Sequence, residues 1–264
     1  MRTLKHTGRL FGAAAILAVL AGTAFAATAT QKSDPAKEYE ACATLAKTHP
    51  QDAFAAATFW AGKGGGLLAV HCKGLAQMAL GQFGGAAKSF AALAESKRTK
   101  LSDATRARLF AQAAQASLHA RQAENASAFL ARSVSLQPDV AGFRIDRSIT
   151  LALAENYEAA ITELNAVLAK DAGHVEALTF RASAYRTLNR TLEAEADIAQ
   201  ALLIQPDKPE ALLERGAIYA VAGNLDGARQ DWEQVIRIVP DSTAAKAAQD
   251  NLNKLHAVRP SAGE

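Results

Sequence analysis

Small and bulky apolar residues recur along this chain at a fixed distance, and two consecutive stretches show it most plainly. In residues 175–208, Leu178, Ala182, Tyr185, Ala194, Ile198, Ala201 and Pro206 occupy positions 4, 8, 11, 20, 24, 27 and 32. In residues 209–242, Leu212, Gly216, Tyr219, Ala228, Trp232, Val235 and Pro240 occupy the same positions 34 residues later. That spacing predicts a helix–turn–helix unit. Small residues at 8 and 20 let the two helices approach closely, while bulky ones at 4, 11 and 24 fill the space beside that contact. Proline at 32 ends the second helix. Asn189 and Gly223, at position 15, fall in the turn, where a left-handed backbone is needed and these residues adopt it cheaply. One such hairpin cannot bury its apolar faces, so the units must stack into a solenoid.

The period continues towards the N-terminus. Residues 141–174 keep Leu151, Tyr157, Ala160, Leu164 and Val167 at 11, 17, 20, 24 and 27, with Ala172 where proline is expected. Residues 107–140 keep Ala114, Ala126, Leu130 and Pro138, with Ser117 at position 11. In residues 67–106, Gly74, Gly81, Phe83, Ala86, Phe90 and Leu93 fit the register, and the polar stretch 96–103 absorbs about six extra residues. Residues 35–66 hold a less regular hairpin, with Pro50 between its helices and Trp60 near its end. Beyond the last repeat, residues 243–258 carry Ala247, Leu252 and Leu255 at helical spacing and read as a helix covering the exposed end.

Small residues at 8 and 20, aromatics near 11 and 24, and Pro at 32 resemble the signature of the tetratricopeptide repeat (TPR) family. The resemblance implies an all-α, right-handed α-solenoid of five to six TPR or TPR-like hairpins plus a C-terminal capping helix, over residues 35–258. It also implies protein binding.

The first 26 residues follow a different rule. Arg2, Lys5 and Arg9 precede an apolar core over residues 10–21, and Ala24 and Ala26 supply small residues at a cleavage site. This predicts a signal peptide cut after Ala26 and a periplasmic or otherwise exported protein, with residues 27–34 a flexible lead-in and 259–264 a disordered tail. The competing reading is a retained anchor, because the apolar run over residues 10–27 nears the lower limit for spanning a bilayer. Without the leader, 26 basic residues balance 26 acidic ones. That balance gives no electrostatic case for nucleic acid or for an anionic membrane surface.

In a TPR-like stack, Cys42 and Cys72 lie on the first helices of neighbouring hairpins. An exported chain with two cysteines so placed is expected to bridge them, stabilising the fold by roughly 3–4 kcal/mol on the chain-entropy model. No Cys-x-x-Cys supports a redox role. His49, His71, His119, His174 and His256 form no metal-binding spacing. The glycine-rich run 62–66 lacks the order of a phosphate loop and reads as an interhelical connection. No catalytic motif, cofactor site or metal site is expected.

Function then rests on the surface of the first helices. In proteins that resemble this one, positions 2, 5, 9, 12 and 13 meet the ligand. Carried over, these positions point to Arg108, Gln115 and His119, then to Ile145, Ile149 and Leu153. The last two repeats add Glu176, Ser183 and Arg186, followed by Glu210 and Leu213. The apolar strip Ile145, Ile149 and Leu153 within a polar surround suits an extended peptide or an amphipathic helix. The Lys at position 5 and Asn at position 9 that grip chaperone C-termini in similar proteins are absent. The expected function is a non-enzymatic adaptor holding a protein or peptide partner during envelope assembly. The alternatives are a self-associating structural protein or an envelope enzyme.

Overall fold

In a computed structural model, which describes residues 34–97 and 100–258, the apolar period becomes a row of helix pairs. The pairs are α1 (Pro35–Thr48) with α2 (Pro50–Gly62), α3 (Gly66–Ala79) with α4 (Phe83–Glu95), and α5 (Asp103–His119) with α6 (Ala123–Leu136). They continue as α7 (Ala141–Leu153) with α8 (Tyr157–Leu168), α9 (Val175–Thr187) with α10 (Thr191–Ile204), and α11 (Pro209–Val221) with α12 (Leu225–Ile238); α13 (Thr243–Val258) follows alone. No strand occurs among the described residues, and the fold is an all-α helical repeat. Each helix packs on its neighbours in sequence, and α9 also touches α7 and α11. The predicted leader, its cleavage site and the tail after Val258 lie outside the described residues. No described helix is long and apolar enough to cross a membrane.

The repeat positions explain the packing. Ala86, Ala126, Ala160, Ala194 and Ala228, all at position 20, are buried, as are Phe90, Leu130, Leu164, Ile198 and Trp232 at position 24. Each such bulky side chain contributes about 1.5–3 kcal/mol by leaving water. Position 8 makes room for it. The rings of Phe90 and Trp232 lie so close to Gly74 and Gly216 that a Cβ there would collide with them. The Trp232 indole N–H also donates to the Leu213 carbonyl at 3.1 Å.

The turns share one backbone device. Position 15 is left-handed in five successive pairs, at Gly81 (φ 71°), Arg121, Glu155 and Asn189 (each 59°) and Gly223 (82°). After each, an N–H returns to a carbonyl five residues back, as from Asn224 to Tyr219 at 2.8 Å. Satisfying these otherwise orphaned carbonyls ends the first helix.

Local chemistry adjusts several boundaries. Helix α5 starts a turn before Ala107, because the Ser102 hydroxyl accepts the Thr105 N–H at 3.2 Å. Helix α8 stops without a proline. There the Asp171 carboxylate accepts the Gly173 N–H at 3.0 Å, and the His174 ring accepts the Ala177 N–H at 3.3 Å to start α9. Pro50 opens α2, where its missing N–H costs nothing. In α13 the buried residues are Ala245, Ala248, Leu252 and Leu255, with Ala247 only half-buried.

Two further features bind the row. Cys42 of α1 and Cys72 of α3 lie at disulfide-bonding distance, their Cα atoms 6.2 Å apart. At the other end, Arg147, Arg181 and Arg215 stand at position 7 of successive repeats, and each pairs with a buried carboxylate 16 residues on: Glu163, Asp197 and Asp231. The Arg215 guanidinium reaches both Asp231 oxygens, at 2.7 and 2.8 Å.

Candidate functional site

The first helices of successive pairs leave open clefts between them, floored by second helices. Between α3 and α5 lies a cavity of about 280 Å³, lined by Leu67, Leu68 and His71 on one side and by Thr105, Arg108 and Gln112 on the other. Between α5 and α7 lies one of about 380 Å³, with Gln112, Gln115 and Leu118 facing Asp146 and Ile149. Between α7 and α9 lies a third of about 210 Å³, almost wholly apolar, formed by Ile149, Leu153, Tyr157, Leu164 and Phe180 with Ser183 at its edge. Gln112 belongs to the first and second cavities and Ile149 to the second and third, so the three follow one another along the first helices, each sharing a wall residue with the next.

Polar contacts set the character of each stretch. His71 bridges three helices: its Nδ1 accepts the Tyr39 hydroxyl at 2.9 Å, and its Nε2–H donates to the Gln112 carbonyl oxygen at 3.0 Å. Both bonds suit the neutral ring, which also packs against Phe90. Burial pushes the His71 ring below its ordinary value, opposed by the Gln112 bond. Asp146 moves the other way. Partial desolvation in the groove, and then repulsion from Glu176, raise its carboxyl. Among the described residues, no group of three or more His, Cys, Asp or Glu is placed to hold a metal ion.

A model of the tetratricopeptide repeat matches residues 145–206 and again 181–243. Over that stretch the chain is similar to tetratricopeptide repeats. Solved TPR folds superpose on more of the chain. A tetratricopeptide repeat protein from Parabacteroides merdae ATCC 43184 is 17% identical, with a TM-score of 0.59, over 72% of this chain and 73% of that one. A thermophilic TPR protein of Thermus thermophilus is 18% identical, with a TM-score of 0.56, over 72% and 99%. MamA is 15% identical, with a TM-score of 0.52, over 69% and 96%. At such identities the likeness is one of fold. No curated relative matches the chain.

The TPR positions expected to meet a ligand are only partly the ones that line the groove. Arg108, Gln115, Ile149, Leu153 and Ser183 are brought together there. Ile145 is not. It is 3% exposed and part of the core formed with α8 and α9, so its assignment to the surface is corrected. Other candidates are occupied locally. His119 stacks on Phe83, the Arg186 Nε donates to Glu214 at 2.6 Å, Glu210 pairs with Lys208 at 3.1 Å, and Leu213 packs against the core. Glu176 is exposed in the first turn of α9 and lines none of the three cavities.

Position 6 was missed: Gln112, Asp146 and Phe180 all line the groove. Positions 2, 6, 9 and 13 fall on one helical stripe, and position 5 lies at its edge, lining the second cavity at Ala111 but buried at Ile145 and Thr179. Tyr157 and His71 also belong to the lining. The helical period contained the signal for position 6.

Proposed function

We propose that this protein is an exported, non-enzymatic scaffold that holds a peptide segment or amphipathic helix of a protein partner along α3, α5, α7 and α9, in the assembly of an envelope complex. The succession of three cavities along the first helices, linked by the shared walls Gln112 and Ile149, carries the reading, because a row of clefts suits a chain segment better than a compact small molecule. The apolar third cavity supplies the burial that such binding needs. Export rests on the basic, apolar and small-residue order of residues 1–26, with cleavage after Ala26 leaving no stable membrane insertion.

Crosslinked affinity capture of the tagged protein from intact cells, beside an Ile149→Glu variant, tests this function. The expected result is a partner captured by the parent and lost in a variant that melts normally. Recovery of the protein alone would favour self-association. Equal loss of helicity and binding would make Ile149 a core residue and remove the groove. Amino-terminal sequencing of the exported protein tests the cut after Ala26.

A further inference from the structure

The outer face of α10 is apolar where its counterparts in the flanking repeats are largely polar. Among the described residues the two most exposed large hydrophobics are Leu203, at 83%, and Leu192, at 79%, and both stand on this helix. Ala196 and Ala199, also exposed, fill the interval between them. The four residues form one stripe, at steps of four, three and four, opposite the buried face of Ala194, Ile198 and Ala201. At the same repeat positions the α8 unit carries Glu158, Thr162, Asn165 and Ala169, and α12 carries Asp226, Gln230, Glu233 and Arg237. These second helices run side by side. Arg190 at the start of α10 reaches Glu158 at the start of α8, at 3.6 Å, and Gln200 donates to the Ala172 carbonyl just past the end of α8, at 2.9 Å. On the other flank, Gln234 of α12 donates to the Asp207 carboxylate just past the end of α10, at 3.0 Å.

We infer that a second copy of this chain covers the stripe, the two α10 helices packing antiparallel about a two-fold axis that passes between Ala196 and Ala199. The spacing reads the same in both directions, as an isologous contact requires. Each Leu192 therefore meets the partner's Leu203, and the alanines let the helices close in at the centre. Charge fixes the direction. In the antiparallel pair α12 faces α12, which sets Asp226 opposite the partner's Arg237 on both sides of the axis; within its own chain Asp226 is held only by Arg229, at 3.6 Å. A parallel pair would set α12 against the partner's α8, bringing Asp226 to Glu158 and Arg237 to Lys170, like against like. Four side chains per copy bury far less than the roughly 800 Å² per partner of a standard interface, so the dimer is weak and reversible. It uses second helices and leaves the groove of the first helices open, so it stands or falls apart from the function proposed above.

Sedimentation velocity of the oxidised protein, purified as cells process it, tests this over a concentration series. The expected result is a monomer–dimer equilibrium with a dissociation constant of about 10–500 µM. Leu192→Gln/Leu203→Gln should weaken it about tenfold or more without lowering the melting temperature, because both side chains are exposed in the monomer. Ile149→Glu should leave it unchanged. Arg237→Asp should weaken it about three- to fivefold at low salt, and adding Asp226→Arg should restore it. Leu192→Cys protein mixed with a tagged Leu203→Cys protein should oxidise to the mixed dimer. A chain that stays monomeric to about 1 mM, or a dimer indifferent to the leucine variant, would overturn the proposal. Like-to-like bridging, or a charge reversal that restores nothing, would overturn the antiparallel direction. A dimer lost with Ile149→Glu would move the second copy to the groove, and a monomer whose captured partner is lost with the two leucines would give this face to another protein.

Discussion

At the scale of single residues, the chain holds conformational strain where its helices turn. Arg121 and Glu155 adopt the left-handed backbone that Gly81 and Gly223 take up freely. For a residue with a Cβ that conformation costs about 1–2 kcal/mol, so Glu155→Gly is expected to raise stability by up to about 1 kcal/mol despite the added freedom of the unfolded chain. Urea unfolding reads this directly. Gly216→Ala should act oppositely, losing about 1–3 kcal/mol because the new Cβ displaces the Trp232 indole. Such packing positions are legible in a sequence, since a small residue opposite a bulky one leaves a compositional trace. The groove was less legible. Ile145 and Asp146 differ by one residue, yet one is in the core and the other lines a cavity. Each first helix is covered on two sides by its neighbours, which narrows the open stripe to less than a single repeat's pattern suggests.

At the scale of elements, charges that patterning would leave on a solvated surface clamp helix to helix. The pairs Arg147–Glu163, Arg181–Asp197 and Arg215–Asp231 join the two helices of three successive repeats, and in the repeat before them the same positions hold Ala113 and Phe129. Sequence patterning misses such pairs because it sorts charged residues outwards, whereas a buried carboxylate needs only a matched guanidinium. Arg215→Ala is expected to cost about 2–3 kcal/mol by stranding Asp231, and Arg215→Met/Asp231→Leu much less; a double-mutant cycle in urea measures the difference. His71 ties α1, α3 and α5 in a different way, as a neutral ring held between Tyr39 and Gln112. Its folded value is lowered, so the unfolded chain takes up the proton first. The stability it contributes is complete above about pH 6.5 and is lost as pH falls through the folded-state value. Unfolding midpoints at pH 7.5 and 5 should therefore diverge more for the parent than for His71→Gln.

Across the whole molecule, the two ends of the row are held by different means. A large core runs from Ile145 through Leu255, joining α7 to α13, while a separate cluster packs α4 on α5 and smaller ones sit beneath α1 and α2. Neighbour-limited contacts of this kind allow the ends to open separately. Reduction is therefore expected to speed hydrogen exchange in α1 and α2, by an amount matching about 3 kcal/mol, and to leave α9–α12 unchanged. The regular half of the fold was readable because its period is strict. The first hairpin was legible only as a less regular one, since its small alanine-rich contacts at Ala46, Ala53 and Ala57 imprint no bulky pattern and the Cys42–Cys72 link substitutes for one. That link encloses the exposed connection at Lys63, between α2 and α3. A protease cutting there severs the backbone without releasing a fragment, and the nicked chain travels as one molecule until a thiol parts it.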